Sequence, residues 1–269
     1  MPVVHANGLD IHYRITGTGA ETVLLINGVG DDLEAWAMQV DPFVAAGLRV
    51  VTFDNRGVGR SSLPPGPYSS RAMAADTKAL VDGLALTGLH LVGVSMGGLI
   101  AQEYALSYPA DLRSVVLANT YSRPDAYTRA VFDVWAQIGE AGGMPLMMRQ
   151  QAPWVFSPAF HDEHPERLAA IIAETERSTQ PAWSFSAQIA ALLTHDSTDR
   201  LRSLHTPALV IAADEDIIIR LSLSHRLFEE LPRGSWAIVP GGHAAFGENP
   251  DPWNRAVLAF IDQHRAAVH

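Results

Sequence analysis

LHLVGVSMGGLI, residues 89–100, runs from an unbroken apolar stretch into a serine set among three glycines. Continuous apolar runs of this length suit a strand buried on both faces of a parallel sheet. The residues after Ser95 carry apolar positions at three- and four-residue spacing, which predicts a helix over 95–108. The stretch therefore reads strand, tight turn, helix. Gly93, Ser95 and Gly97 spell G-x-S-x-G at the joint, where that motif raises a nucleophile out of the backbone. A plainer reading also fits: a glycine-rich turn whose serine caps the helix.

Working outward, five more runs of the same kind appear: TVLLING (22–28), RVVTFDNRG (49–57), RSVVLANT (113–120), ALVIAADED (208–216) and SWAIVPGGH (235–243). VVHANG (3–8) and DIHYRITG (10–17) precede them and predict an antiparallel hairpin turned at Asn7-Gly8. Helical spacing over 34–47, 69–87, 221–231 and 252–267 separates the runs. Strands alternating with helices imply right-handed βαβ units. The expected fold is α/β, an eight-stranded, mostly parallel sheet flanked by helices.

One interval breaks the alternation. Residues 123–200 hold no convincing strand, several prolines, and many large apolar residues, among them Phe132, Trp135, Met148, Phe156, Trp183 and Phe185. We read it as a helical cap inserted after the sixth strand. The core is then 1–122 together with 201–269. An apolar roof over the strands' carboxyl ends would lie where open α/β sheets bind ligands.

Composition narrows the function. The 269 residues carry a formal net charge of -10, which argues against nucleic acid or an anionic membrane as partner. There is no cysteine, so disulfides, thiolate catalysis and cysteine-bound metals are excluded. No stretch approaches 18 uninterrupted apolar residues, and MPVVHANGLDIHYRITG lacks the basic-then-apolar pattern of a signal peptide. The expectation is a cytoplasmic monomer or homodimer acting on a small molecule, without cofactor or metal.

A serine nucleophile needs a base. Of the 11 histidines, His243 stands out because PGGH follows the final strand on a glycine-rich loop, at the sheet edge where Ser95 lies. His12 and His90 fall in or beside strands, His161, His164 and His195 in the cap, and His264 and His269 in the polar tail. The base needs an orienting acid, and Asp214, Glu215 and Asp216 all end the seventh strand. Asp216 lies on the turn and is preferred to Asp214, which leaves the strand too early. An oxyanion needs two donors. The amide of Met96, directly after the serine, and that of Val29, in the ING loop, are the candidates, with Gly28 allowing close approach and Asn27 fixing the loop or touching substrate.

Taken together, the hairpin, the ING loop, FDNRGVGRS (53–61), GVSMGG, the insertion, ADED and GGH resemble the α/β-hydrolase family over nearly the whole chain. The order Ser95, Asp216, His243 is that family's order. The resemblance implies that Asp54 and Arg56 fix a loop. Asn27-Gly28 replaces the His-Gly found in many members, and Ala213 and Arg220 replace a glycine and a proline near the acid; the first resembles the enol-lactonase-like and carboxylesterase-like branches. The implied activity is hydrolysis of a small to medium hydrophobic carboxylic ester or lactone through an acyl-enzyme. C–C bond hydrolysis, cofactor-free perhydrolysis and a non-catalytic small-molecule receptor are the alternatives. Arg123, Arg129, Arg149 and Arg177 are candidate receivers of a substrate carboxylate.

Overall fold

β-branched and leucine-rich runs with no polar face have to be covered on both sides, and the chain does this with one sheet. In the computed structural model, which describes residues 2–266, eight strands form: β1 (Val3–Ala6), β2 (Leu9–Thr16), β3 (Glu21–Ile26), β4 (Leu48–Phe53), β5 (Leu89–Val94), β6 (Leu112–Ala118), β7 (Ala208–Ala213) and β8 (Gly234–Val239). Their order across the sheet is β1-β2-β4-β3-β5-β6-β7-β8. The hairpin β1–β2 is antiparallel and joins β4 in antiparallel register, Tyr13 opposite Phe53, while every pairing from β4 to β8 is parallel.

The helices are α1 (Ala37–Ala45), α2 (Ser70–Gly83), α3 (Met96–Ser107), α4 (Ala126–Val155), α5 (Pro158–Glu163), α6 (Pro165–Thr175), α7 (Ala182–Thr194), α8 (Leu221–Glu229), α9 (Ala245–Glu248) and α10 (Pro250–Asp262). Alternation along the strands divides the core. Val23 and Leu25 of β3 pack with Phe43 of α1 and with Trp253, Val257 and Phe260 of α10. Leu24 and Ile26 pack on the other face, with residues of α2, α3 and α8. Trp253 and Phe43 are fully buried. Each such side chain contributes roughly 1.5–3 kcal/mol by leaving water, which explains how strands with little polar surface are held.

The predicted helices are found a residue or more shorter at most ends. The helical pattern to 267 stops at Asp262, and the part beyond 266, like His269, lies outside the described residues. Four helices, α4 to α7, fall between β6 and β7, within the interval read as a cap. The long α4 is broken at Gly143, whose φ of 77° no helix accommodates. Phe132, Met147 and Phe185 are buried between these helices and the core. Trp183 departs from the expectation: it is half exposed, on the outer side of α7.

The topology fixes where a site can form. β4 and β5 flank β3 on opposite sides, so the connections leaving β3 and β5 diverge at their carboxyl ends and open a crevice there.

Candidate active site

Four loops meet at that crevice. The first is the turn after β5. Ser95 has φ 55° and ψ -118°, a backbone region costly for any residue with a side chain. The close packing around it leaves no alternative: a Cβ on Gly93 would stand 2.2 Å from the carbonyl oxygen of Gly97, and one on Gly97 2.1 Å from that of Ile26. The elbow is tied from outside by Thr120, whose hydroxyl donates to the Ser95 carbonyl at 2.9 Å.

The second loop follows β8. Nε2 of His243 lies 2.9 Å from Oγ of Ser95. The third follows β7, and Oδ2 of Asp216 lies 2.7 Å from Nδ1 of His243. A carboxylate has only acceptors to offer, so Nδ1 carries the proton and Nε2 is free to accept from the serine hydroxyl. All three side chains are buried. Asp216 is held by the amides of Ile218 (2.9 Å) and Ile219 (2.8 Å) on Oδ1 and by Nδ2 of Asn119 (3.0 Å) on Oδ2. Asp214 points elsewhere, accepting from the amide of Gly241 at 2.9 Å. The structure thus brings Ser95, His243 and Asp216 into one chain of hydrogen bonds and leaves Asp214 out of it.

The loop after β3 forms the facing wall. Gly28 and Val29 line the same cavity as Ser95 and His243. Met96 is the first residue of α3, where an amide has no intrahelical acceptor. Asn27 ties the loop: its Nδ2 donates to the carbonyls of Phe53 (3.1 Å) and Asp31 (3.3 Å). Asp54 and Arg56 are fixers as well. Asp54 accepts from the amides of Leu33 and Arg60, both at 2.8 Å, and Arg56 pairs with Asp76 at 2.5 Å.

The cavity encloses about 610 Å³ between these loops and the inserted helices, with Trp135, Met148, Phe156 and Ile171 among its apolar lining. The four arginines considered as receivers of a substrate carboxylate are all engaged by protein groups. Arg123 faces Asp196, Arg129 donates to the carbonyl of Leu193, and Arg149 and Arg177 pair with Glu176 and Glu174. Only Arg177 of these lines the cavity.

Serine, acid and histidine are thus in contact and follow one another along the chain in the order Ser95, Asp216, His243. The family model described as serine aminopeptidase, S33, matches residues 18–249. The chain belongs to this family of α/β hydrolases. Its relatives include a protein of Variovorax paradoxus named "Putative carbamate hydrolase RutD", 32% identical over 94% of this chain and 96% of the relative. Among solved structures, the enol-lactonase from Burkholderia xenovorans LB400 superposes with a TM-score of 0.90 at 26% identity, covering 97% of this chain and all of that one. A thermophilic esterase from Thermogutta terrifontis gives 0.88 at 26% identity, with 98% and 99% covered. The chain is accordingly an α/β hydrolase.

Family motifs do not reveal several residues that hold the site. Asn119 sits at φ 48° one residue past β6 and reaches Asp216. Gln188 of α7 spans from the insertion to the β3 loop, accepting from the amide of Gly30 (3.0 Å) and donating to the carbonyl of Arg56 (2.9 Å). Glu248, in α9, is buried and accepts from the amides of Gly242 (3.1 Å) and Ser157 (3.0 Å). The only sequence trace of Glu248 is an acid five residues after His243, and Gln188 leaves none.

Proposed function

We propose that the chain is a serine hydrolase cleaving a small to medium hydrophobic carboxylic ester or lactone through an acyl-enzyme on Ser95. The observation that carries this reading is the unbroken chain Ser95 Oγ, His243 Nε2, His243 Nδ1, Asp216 Oδ2. Ser95 attacks the carbonyl carbon as His243 takes its proton, and Asp216 stabilises the imidazolium. The tetrahedral oxyanion lies between the amides of Val29 and Met96, and the positive end of α3 favours the same charge. His243 then returns the proton to the departing alcohol or, in a lactone, to the ring oxygen that stays attached. Water enters by the same base and releases the acid. The apolar cavity walls suit a hydrophobic acyl chain.

The curated relatives named as putative carbamate hydrolases favour a second reading, cleavage of a carbamoyl bond by the same three residues. A serine-reactive phosphonate followed by peptide mass mapping tests the nucleophile: a single adduct on Ser95 is expected, and none, or one elsewhere, would overturn the assignment. Parallel rates on p-nitrophenyl esters of rising chain length, a lactone panel and simple alkyl carbamates then separate the two readings.

A further inference from the structure

One carboxylate that lines the cavity is neither used by the hydrolytic scheme nor bound by another group of the protein. Asp31 sits in the loop after β3, half-buried, and lines the cavity beside Ser95 and His243. Its two acidic neighbours are occupied: Asp32 caps the following turn by accepting from the Glu34 amide at 2.9 Å, and Glu34 is bound by Arg14 at 2.9 Å. Among the described residues the Asp31 carboxylate accepts no hydrogen bond and meets no paired cation. A methyl group placed on Gly28 would stand 2.9 Å from Oδ2 of Asp31 and 3.6 Å from Cβ of Ser95. Carboxylate and nucleophile therefore flank one point of the cavity floor.

That placement has an electrostatic consequence. Desolvation, reinforced by the charge of Asp32, pushes the Asp31 carboxyl up to about 7, with His243 acting in the opposite direction. An ionised carboxylate beside a forming oxyanion opposes the reaction unless a positive charge lies between them. The protein's own cations along the cavity are committed elsewhere. Arg167 donates to the carbonyls of Gly247 (2.5 Å) and Glu248 (3.3 Å) and covers the ring of Phe160, and Arg177 is paired with Glu174 at 2.6 Å. His243 becomes cationic only as the oxyanion forms and is then paired with Asp216, so in the resting site a counter-charge for an ionised Asp31 has to arrive with the substrate.

Building on Ser95 as nucleophile, we propose that Asp31 is a specificity-determining residue that selects substrates carrying a positively charged group within a few atoms of the scissile carbonyl, on an otherwise apolar frame. A substrate carboxylate at that point would be repelled.

The experiment uses two pairs of isosteric esters. On the acyl side, p-nitrophenyl 3-aminopropanoate is set against p-nitrophenyl butanoate; on the alcohol side, acetylcholine against 3,3-dimethylbutyl acetate. In at least one pair the cationic ester is expected to lead in kcat/KM by about ten-fold at pH 8, and Asp31→Asn is expected to erase that lead. The quaternary ammonium has no proton to lose and both esters share His243, so the ratio for the second pair reports the charged lining alone. Asp32, Glu34, Glu174, Arg167 and Arg177 are already paired or solvated, so a ratio that rises through about pH 7 would mark Asp31 itself. Equal rates in both pairs, or a lead that survives Asp31→Asn, would overturn the proposal while leaving hydrolysis by Ser95 standing. Should no ester turn over, binding still decides the matter: ligand-observed NMR of 3-aminopropanamide against butanamide must show a cation preference that Asp31→Asn removes, and its absence overturns the proposal.

Discussion

Ser157, at the N-terminus of α5, and Glu248, in α9, are locked together: the Ser157 amide donates to Oε2 at 3.0 Å and its hydroxyl donates to Oε1. The same carboxylate receives the Gly242 amide, one residue before His243. One buried acid thus ties the inserted helices to the histidine loop, and a second strand of the same tie runs from the Ala244 amide to the carbonyl of Val155 at 3.0 Å. Glu248→Ala leaves three donors without their partner and is expected to cost about 2–4 kcal/mol of stability. It should also lower kcat more than it raises KM, because His243 loses its support while the apolar walls remain. Thermal melts with steady-state kinetics check both, and Glu248→Gln should recover part of each.

Ser95→Ala should remove at least three orders of magnitude of kcat on any ester that the wild type hydrolyses. The backbone at φ 55° adds a stability test that does not depend on catalysis. Glycine relieves that conformation, so Ser95→Gly should be about 1–2 kcal/mol more stable than Ser95→Ala in urea unfolding. Equal stabilities would mean that the elbow is not strained in solution.

Asp216→Asn should cost three to four orders of magnitude in kcat, since an amide presents a donor where His243 needs an acceptor and stabilises the wrong tautomer. Asp214→Asn should cost less than ten-fold, because Asp214 serves only the turn that presents Gly241. Rates of the two purified variants on one ester decide this, and a reversed ranking would refute the assignment of the acid.

His195, at the end of α7, is buried against Ser70 at 2.8 Å and lies near Gln102. Burial holds its imidazole down at about 4, below the ordinary 6.5. The unfolded chain therefore binds a proton that the folded chain refuses between those values, and stability falls as pH drops from about 6.5 toward 4. The loss should reach roughly 3 kcal/mol. His195→Gln should be less stable than wild type at pH 7.5 and show a flatter decline on acidification, read from unfolding curves at matched pH values.

Asp31 runs the other way. Its carboxyl is raised to about 7 from 3.8, so the folded chain holds a proton that the unfolded chain gives up, and stability falls as pH rises through that window. Solvent reaches this side chain through the cavity, which reduces the effect below what the shift alone implies. Asp31→Asn is expected to gain about 1–3 kcal/mol at pH 8 and almost nothing at pH 4.

Much of the architecture was written locally. The apolar runs at 22–28, 89–95 and 208–216 have no polar face, so only a sheet covered on both sides can accommodate them, and the helical spacing between them sets the βαβ order. The elbow was legible for a similar reason: Gly93 and Gly97 are required by contacts within a strand, a turn and a helix that are neighbours in sequence. His243 and Asp216 were reachable because parallel strands bring their carboxyl ends to one edge.

What the sequence determined by itself is therefore whatever depends on short range: strands, helices, the elbow serine, and the order in which the acid and the base follow it. Only the tertiary structure decided what depends on side chains meeting across long separations. Asn119 reaches Asp216 across 97 residues, Gln188 reaches Gly30 across 158, and Glu248 reaches Ser157 across 91. The same holds for the engagement of the cap arginines, the outward turn of Trp183 and the unpaired state of Asp31. A hydrogen bond or a lost hydration shell depends on the geometry of both partners, and residue type along the chain does not carry that geometry. Local pattern states what a segment becomes; the packing of distant segments sets which of its polar groups are left to act on a substrate.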